Sequence, residues 1–317
     1  MVKININYLS CKRYDFIELT VNTLKKVKEE NKKHIHFTIA DENHININVL
    51  NKYKKELEQS NIKCSVNTFH NGLNYMDKIN HSVNYNSEYT FKFDEDIFIN
   101  NYLWDYLIEN VDILNDQENL LLAPLLSNGI PTVDLFVEDY FNENDKNIIK
   151  NSFKNSPMPS NCWGCNYDSL NNYTVNSKEW NSDDFYVGVN NINHHYKGVH
   201  PVRLNTDSNF LVNDLIWKDL NKVVNQKDFY IENFKKFPYI CNSCFLIKTE
   251  TYKKIVNDKS LFVDDFDEVP INLYKQNNNL NFCFVRNGFG LHYLYNSAPN
   301  HIVLEKQYHN KLKSYIG

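Results

Sequence analysis

The sequence predicts an α/β fold in which β-strands and α-helices alternate along the N-terminal part of the chain. Strand-like and helix-like patterns follow one another in steps of about 30 residues, and polar residues stand where the strand-like segments end. The 317-residue chain is 42% hydrophobic and 23% charged, which is typical of a globular protein with one large or two modest domains. Such alternation is characteristic of βαβ units and a parallel sheet.

Four segments near the N-terminus show the period-2 alternation of strands, at 3–9, 34–40, 63–69 and 89–94. Apolar residues between and after them recur at helical spacing: Ile17, Val21, Leu24 and Val27; Ile47, Leu50, Tyr53 and Leu57; Leu73, Met76, Ile79 and Val83; Leu103, Leu107, Val111 and Leu114. Asn71–Gly72 is a turn signal before the third of these helices.

After residue 115, strand and helix patterns no longer alternate regularly along the chain. Residues 120–131 read as a strand leading into a turn, and the polar, aromatic stretch that follows reads as loop-rich. Strand patterns return at 239–247 and 280–285, with a helix-like pattern over 249–256 between them. We therefore predict an α/β half at 1–124, a loop-rich insertion at 125–237, and a C-terminal part at 238–317 that completes the sheet.

The segment YTFKFDEDIFI (89–99) carries the clearest chemical signal. Asp94 and Asp96 are two residues apart, so on an extended backbone both carboxylates point the same way. Converging carboxylates repel unless a cation or a proton lies between them, and hard oxygen ligands suit Mg²⁺ or Mn²⁺ with substrate phosphates. A solvated acidic cluster is the alternative. Ser10, Asp41 and this triplet fall at strand ends, where ligands of parallel sheets bind.

In order and spacing, these segments resemble the GT-A fold glycosyltransferases that use nucleotide-sugars, particularly family two. The resemblance covers about 1–115, through NYLSCKRYDFIELTVNTL, TIADENH and the segment that ends in KFDED, and it resumes near 239–295. It implies a Rossmann-like mixed sheet flanked by helices. The half at 1–124 would bind the nucleotide-sugar, the insertion at 125–237 would form an acceptor-binding region, and the part at 238–317 would complete the acceptor and catalytic site. The resemblance also implies donor contacts from Ser10, Arg13, Asp41 and Asp94, with Asp41 on the base.

The resemblance further implies a second acidic site, at LFVDDFDEVPINLYKQ. Family members place an acidic pair just before a helix, and in inverting members one carboxylate is the general base. Asp267 and Glu268 match this pair in reversed order, so Glu268, Asp267 and Asp265 all remain candidates. A helix start favoured by the macrodipole is the other interpretation. Family members also supply a late histidine to the metal, and His292 fits that place beside Asp94 and Asp96.

The resemblance therefore implies a metal-dependent hexosyl- or pentosyltransferase with a UDP-sugar donor and Mn²⁺ or Mg²⁺. Inversion is the expected stereochemistry, and retention, in which the acidic pair would not act as a base, is the alternative. The acceptor is a glycan hydroxyl or a modified DNA base. A nucleotidyltransferase and a non-catalytic module that binds carbohydrate or nucleic acid are the alternatives. The net charge of −5 argues against bulk nucleic-acid binding.

No apolar run of membrane-spanning length is present, and the start lacks the pattern of a signal peptide. We therefore expect a cytoplasmic enzyme without a membrane partner, with virus-encoded action in a host cytoplasm as one variant. The seven cysteines include the pairs Cys162–Cys165 and Cys241–Cys244. Reduced thiols are expected in such a compartment, and a zinc site is the alternative.

Overall fold

The computed structural model describes residues 3–10, 14–41, 47–69, 73–83, 86–127, 132–155, 206–235, 240–261, 267–292 and 301–316. The predicted site residues Arg13 and Asp265 lie outside these ranges, as does the aromatic stretch of the predicted insertion. The predicted domain boundaries therefore stay predictions.

The described strands are β1 (Ile4–Ser10), β2 (Ile35–Asp41), β3 (Lys63–Thr68), β4 (Tyr89–Asp94), β5 (Ile97–Phe98), β6 (Asn119–Leu126), β7 (Tyr230–Phe234), β8 (Cys244–Lys248) and β9 (Asn281–His292). The described helices are α1 (Tyr14–Lys25), α2 (Glu29–Lys32), α3 (Ile47–Gln59), α4 (Tyr75–Ser82), α5 (Asn101–Glu109), α6 (Thr132–Tyr140), α7 (Glu143–Asn155), α8 (Thr206–Lys218), α9 (Asn221–Asn225), α10 (Thr249–Asn257), α11 (Glu268–Asn277) and α12 (His301–Ile316). Short 3₁₀ turns cover Val111–Asn115 and Lys259–Leu261.

These strands form one mixed sheet in the order β3-β2-β1-β4-β8-β6-β9-β5, and β7 also pairs with β9. The pairs β1–β2, β1–β4, β2–β3 and β6–β9 are parallel. β8 is antiparallel to both of its neighbours, β4 and β6. The predicted α/β class, a mixed sheet flanked by helices, is confirmed.

Helices cover both faces of the sheet, so its central strands are buried on both sides. Neighbouring residues of β6 and β8 belong to two different hydrophobic clusters, as Leu121 and Leu122 do, because successive side chains of a strand point to opposite faces. The alternation of apolar and polar residues in β4 therefore does not mark a buried and an exposed face. All of its residues are buried except Asp94, which is partly exposed, and its lysine, Lys92, is fully enclosed.

Several element boundaries differ from those that the sequence predicts. The helix through Leu114 ends instead at Glu109, where Asn110 adopts a non-helical conformation and a 3₁₀ turn follows. β8 begins only at Cys244, because a turn precedes it. In the described flanks of the predicted loop-rich region, α6 to α9 are helices.

β9 continues well past its predicted end, to His292. Its register to β6 shifts between Pro124 and Leu125, opposite Asn287, which has a φ of 59°. At Gly288, next to that irregularity, a Cβ atom would lie only 2.7 Å from Cγ1 of Val285, so the close approach requires glycine.

No helix within the described ranges is both long enough and apolar enough to cross a bilayer. The described thiols Cys64, Cys241, Cys244 and Cys283 are buried and form no disulfide among themselves. Cys162 and Cys165 lie outside the described residues.

Candidate functional site

The carboxyl ends of β1, β2 and β4 bring three predicted site residues to one edge of the sheet. Ser10 is the register partner of Asp41, and Leu9, one residue earlier, is the partner of Asp94. Ser10 and Asp41 are buried there. The alignment that the sequence predicts for Ser10, Asp41 and Asp94 is thus present in the structure.

The acidic triplet does not continue β4 as an extended strand. Glu95 and Asp96 form a turn between β4 and β5, so the alternation that placed Asp94 and Asp96 on one face does not apply. The Glu95 N–H donates to the Leu9 carbonyl at 3.1 Å. The Glu95 carboxylate accepts from the Ser10 hydroxyl at 3.4 Å. Glu95 therefore folds back over the end of β1.

The positive group on Asp94 is a lysine of the same strand. Lys92 Nζ donates to Asp94 Oδ1 at 2.7 Å, and the Lys92 side chain is 0% exposed against 26% for Asp94. Burial alone would lower the pKa of Lys92, but the carboxylates of Asp94 and Asp267 offset this and leave it above its usual value. Lys92 is thus a permanent internal cation at the end of β4.

Burial raises the pKa of Asp94 from 3.8 to about 6, although the charge of Lys92 opposes this. The negative charges of Asp96 and Asp267 raise it further. Asp96 of the first acidic cluster and Asp267 of the second therefore both raise the pKa of the Asp94 carboxyl. Because burial and these charges disfavour the ionised form of Asp94, a second cation beside this carboxylate would be favourable.

Asp96 faces the late histidine. His292 pairs with Ile97 in the ladder between β5 and β9. The backbone N–H of His292 donates to the Ser127 hydroxyl at 3.1 Å. His292 Nε2 lies 3.5 Å from Asp96 Oδ1. No described residue hydrogen-bonds the buried Nδ1 of His292, whereas Nε2 is the ring nitrogen that faces Asp96.

The 3.5 Å separation of Asp96 Oδ1 and His292 Nε2 also suits a shared cation. It is longer than a good charge-assisted hydrogen bond, and two ligands with bonds of about 2.1 Å to one divalent ion lie roughly 3.0–3.5 Å apart. Within the described ranges, no three or more His, Cys, Asp or Glu side chains enclose a metal by themselves. A two-donor site fits Mg²⁺ or Mn²⁺, which complete their shell with water and substrate phosphate.

The second acidic cluster separates into two different environments. Asp267 is 0% exposed, and its oxygens accept from Asn242 Nδ2 at 2.5 Å and from the Tyr252 hydroxyl at 2.6 Å. Glu268, the first residue of α11, is partly exposed and accepts from the Asn242 N–H at 3.3 Å. A general base must reach a substrate proton, and Glu268 meets this requirement better than the enclosed Asp267.

The turn before β8 connects the two acidic clusters. Ser243 carbonyl accepts from the Asp94 N–H at 2.9 Å, while its neighbour Asn242 bonds Asp267 and Glu268. Tyr75 of α4 lies beside these residues, with the centroid of its ring 5.9 Å from Lys92 Nζ. Burial raises the pKa of Tyr75 well above its usual value, and the carboxylates of Asp267, Asp94 and Glu268 add to this.

Sequence reasoning missed three residues of this site: Lys92, Asn242 and Tyr252. The signal for Lys92 was available, since a lysine inside an apolar strand two residues before an acid has a partner within reach on the same face. Asn242 and Tyr252 carried no such signal, because their partner Asp267 is distant in sequence.

No protein-family model matches the chain, and no curated protein matches it. One similar solved structure is S. aureus TarS 1-349, at 13% identity and a TM-score of 0.31 over 39% of this chain and 35% of that chain. Another is GalNAc-T7 with UDP, GalNAc and Mn²⁺, at 8% identity and a TM-score of 0.46 over 92% of this chain and 43% of that one.

This chain spans less than half the length of either structure. At TM-scores below 0.5 neither likeness bears on activity, so the function has to be inferred from the side chains of this chain.

Proposed function

We propose that this chain is a metal-dependent glycosyltransferase that moves a sugar from a nucleoside-diphosphate sugar, with UDP favoured, to a hydroxyl acceptor. One observation carries the proposal. Two carboxylate groups, Asp94 with Asp96 and Asp267 with Glu268, meet at the carboxyl edge of the sheet and are tied together through the turn at Asn242 and Ser243.

The first group would bind the donor. Asp96 and His292 would hold Mn²⁺ or Mg²⁺, and Asp94, one oxygen of which accepts from Lys92, would add its negative charge beside them. When bound, the metal would neutralise charge on the departing diphosphate. Ser10 and Asp41, buried at the ends of β1 and β2, would position the nucleotide, with Asp41 on the base.

The second carboxylate group, Asp267 with Glu268, would act on the acceptor hydroxyl. Glu268 would take the hydroxyl proton as the acceptor oxygen attacks the anomeric carbon, which is an inverting displacement. Asp267 is already hydrogen-bonded on both oxygens, so its role would be to hold the start of α11. The acceptor would be a glycan hydroxyl or a modified nucleobase.

The test is release of UDP from a panel of UDP-sugars, with and without Mn²⁺. Turnover that requires Mn²⁺ and falls in Asp96→Asn and Glu268→Gln supports the proposal, and NMR of the product anomer reads the stereochemistry. Asp265→Asn belongs in the same series. Release of pyrophosphate would instead indicate a nucleotidyltransferase, and no turnover with any donor would leave a binding module.

A further inference from the structure

Asn242 contacts both members of the acidic pair with different donors. Its side-chain amide donates to Asp267 Oδ1 at 2.5 Å, and its backbone N–H donates to Glu268 Oε2 at 3.3 Å. No described residue donates to the other oxygen, Oε1 of Glu268. One oxygen of Glu268 is therefore held and the other is available to an incoming proton.

The bond from Asn242 is one of two that fix Asp267. The Tyr252 hydroxyl, from α10, donates to Asp267 Oδ2 at 2.6 Å. Tyr252 is fully buried, and its ring packs edge-on against Phe245 of β8 with centroids 5.8 Å apart. The Asp267 carboxylate is thus held from two sides by groups on two different elements, which leaves it a single orientation.

Asp267 directly precedes the first residue of α11, so its position sets where that helix begins. Asn272, one turn later, donates to the carbonyls of Ile240 at 3.0 Å and Glu268 at 2.7 Å. It also accepts from the Ile240 N–H at 2.7 Å. The first turn of α11 is therefore fixed to the segment that contains Asn242 through two side chains, the Asp267 carboxylate and the Asn272 amide.

We propose that Asn242 and Tyr252 are positioning residues, which act through Asp267 to hold the carboxylate of Glu268 at the acceptor hydroxyl. This inference rests on the proposed function, in which Glu268 is the general base. A displacement of about 1 Å at a reacting group can lower a rate roughly a hundredfold, so loosening Asp267 should lower turnover although neither residue touches substrate.

The test compares Asn242→Ala and Tyr252→Phe with wild type. The assay is steady-state UDP release, with Mn²⁺, from the UDP-sugar that wild type hydrolyses fastest, with water as acceptor. We expect kcat to fall about tenfold to a hundredfold in each variant while the KM for the UDP-sugar stays unchanged, because the contacts of Asp94, Asp96 and His292 remain. Tyr252→Phe keeps the buried ring, so it gives a folded variant even if Asn242→Ala is damaged.

The matched control is Asn31→Ala, which removes a buried amide that donates to Asp105 Oδ1 at 2.7 Å between α2 and α5. It should leave both kcat and KM unchanged. In a Glu268→Gln background, Asn242→Ala should cause no further loss, because the group that it positions has already lost its function.

Three results would overturn the inference. They are wild-type kcat in both Asn242→Ala and Tyr252→Phe, an equal loss in Asn31→Ala, and a full additional loss on top of Glu268→Gln. If these occur while Glu268→Gln itself is impaired, the proposed function stands and only the positioning role is lost. If wild type releases no UDP from any UDP-sugar, the proposed function fails and this inference fails with it.

Discussion

Replacing Asp94 by asparagine should stabilise the metal-free protein at neutral pH while lowering its affinity for metal. Burial raises the pKa of Asp94 from 3.8 to about 6. Because a tenfold change in proton affinity corresponds to about 1.4 kcal/mol, the ionised carboxylate destabilises the folded state by about 3 kcal/mol relative to its protonated form. An asparagine amide has the shape of the protonated carboxyl without the charge, and its oxygen can still accept the hydrogen bond from Lys92 Nζ.

The sign of the pH dependence follows from the raised pKa. The folded protein binds this proton more tightly than the unfolded chain does, so the stability that the proton provides is complete below pH 3.8 and is lost as the pH rises through about 6. Asp94→Asn should therefore match wild type near pH 4. Its advantage should grow to about 3 kcal/mol by pH 8.

The assay is urea unfolding of EDTA-treated protein across this pH range, followed by tryptophan fluorescence. Asp112→Asn is the control, and its effect on stability should have the opposite sign. The hydrogen bond from Lys3 at 2.7 Å lowers the pKa of this exposed carboxylate, so its ionised form stabilises the fold. The control should lose at most about 1 kcal/mol at pH 8. Equal stability of Asp94→Asn and wild type at pH 8 would refute the assignment of Asp94 as a destabilising buried charge.

Three further predictions concern other parts of the site and fold. Glu268→Gln should lower turnover by about 10²–10⁴ with little change in donor affinity, read by steady-state kinetics; near-normal turnover would remove it as the base. Asp41→Ala should weaken UDP binding about tenfold to a hundredfold by calorimetry, and wild-type affinity would place Asp41 outside the site. Arg286→Lys loses the paired contact of the guanidinium with Asp139. The free energy of unfolding should therefore fall by about 1–3 kcal/mol, while turnover stays unchanged.

The N-terminal strands were predictable because their period-2 patterns are long and each ends at a polar residue. Parallel pairing then follows, since strands of βαβ units run in one direction, and it placed Ser10 and Asp41 side by side. This much of the candidate site needs only local sequence patterns and the general rule on where strands end.

The turn at Glu95 and Asp96 was not predictable in the same way. An alternating pattern does not show at which residue a strand stops pairing, and here β4 stops at Asp94 because Glu95 bonds back to the end of β1. The burial of Lys92 was hidden for a related reason. A polar residue between Phe91 and Phe93 is usually a sign of an exposed face, but in this sheet helices cover both faces.

The contacts of the second acidic cluster depend on tertiary structure alone. Asp267 meets Asn242 and Tyr252 because β8, α10 and α11 pack against one another, and no spacing in the sequence encodes that approach. The distinction between an enclosed Asp267 and a more accessible Glu268 is therefore a result of the fold.

Mn²⁺-dependent binding of UDP, measured by calorimetry on wild type and Asp96→Asn, tests the central claim most directly. If Asp96 and His292 share a cation that carries the diphosphate, wild type binds UDP tightly only with Mn²⁺. Asp96→Asn should then lose about tenfold to a hundredfold or more in affinity and keep its thermal stability. UDP binding that is equal with and without Mn²⁺, or equal in the two proteins, would contradict the claim that this edge of the sheet is a metal-dependent nucleotide-sugar site.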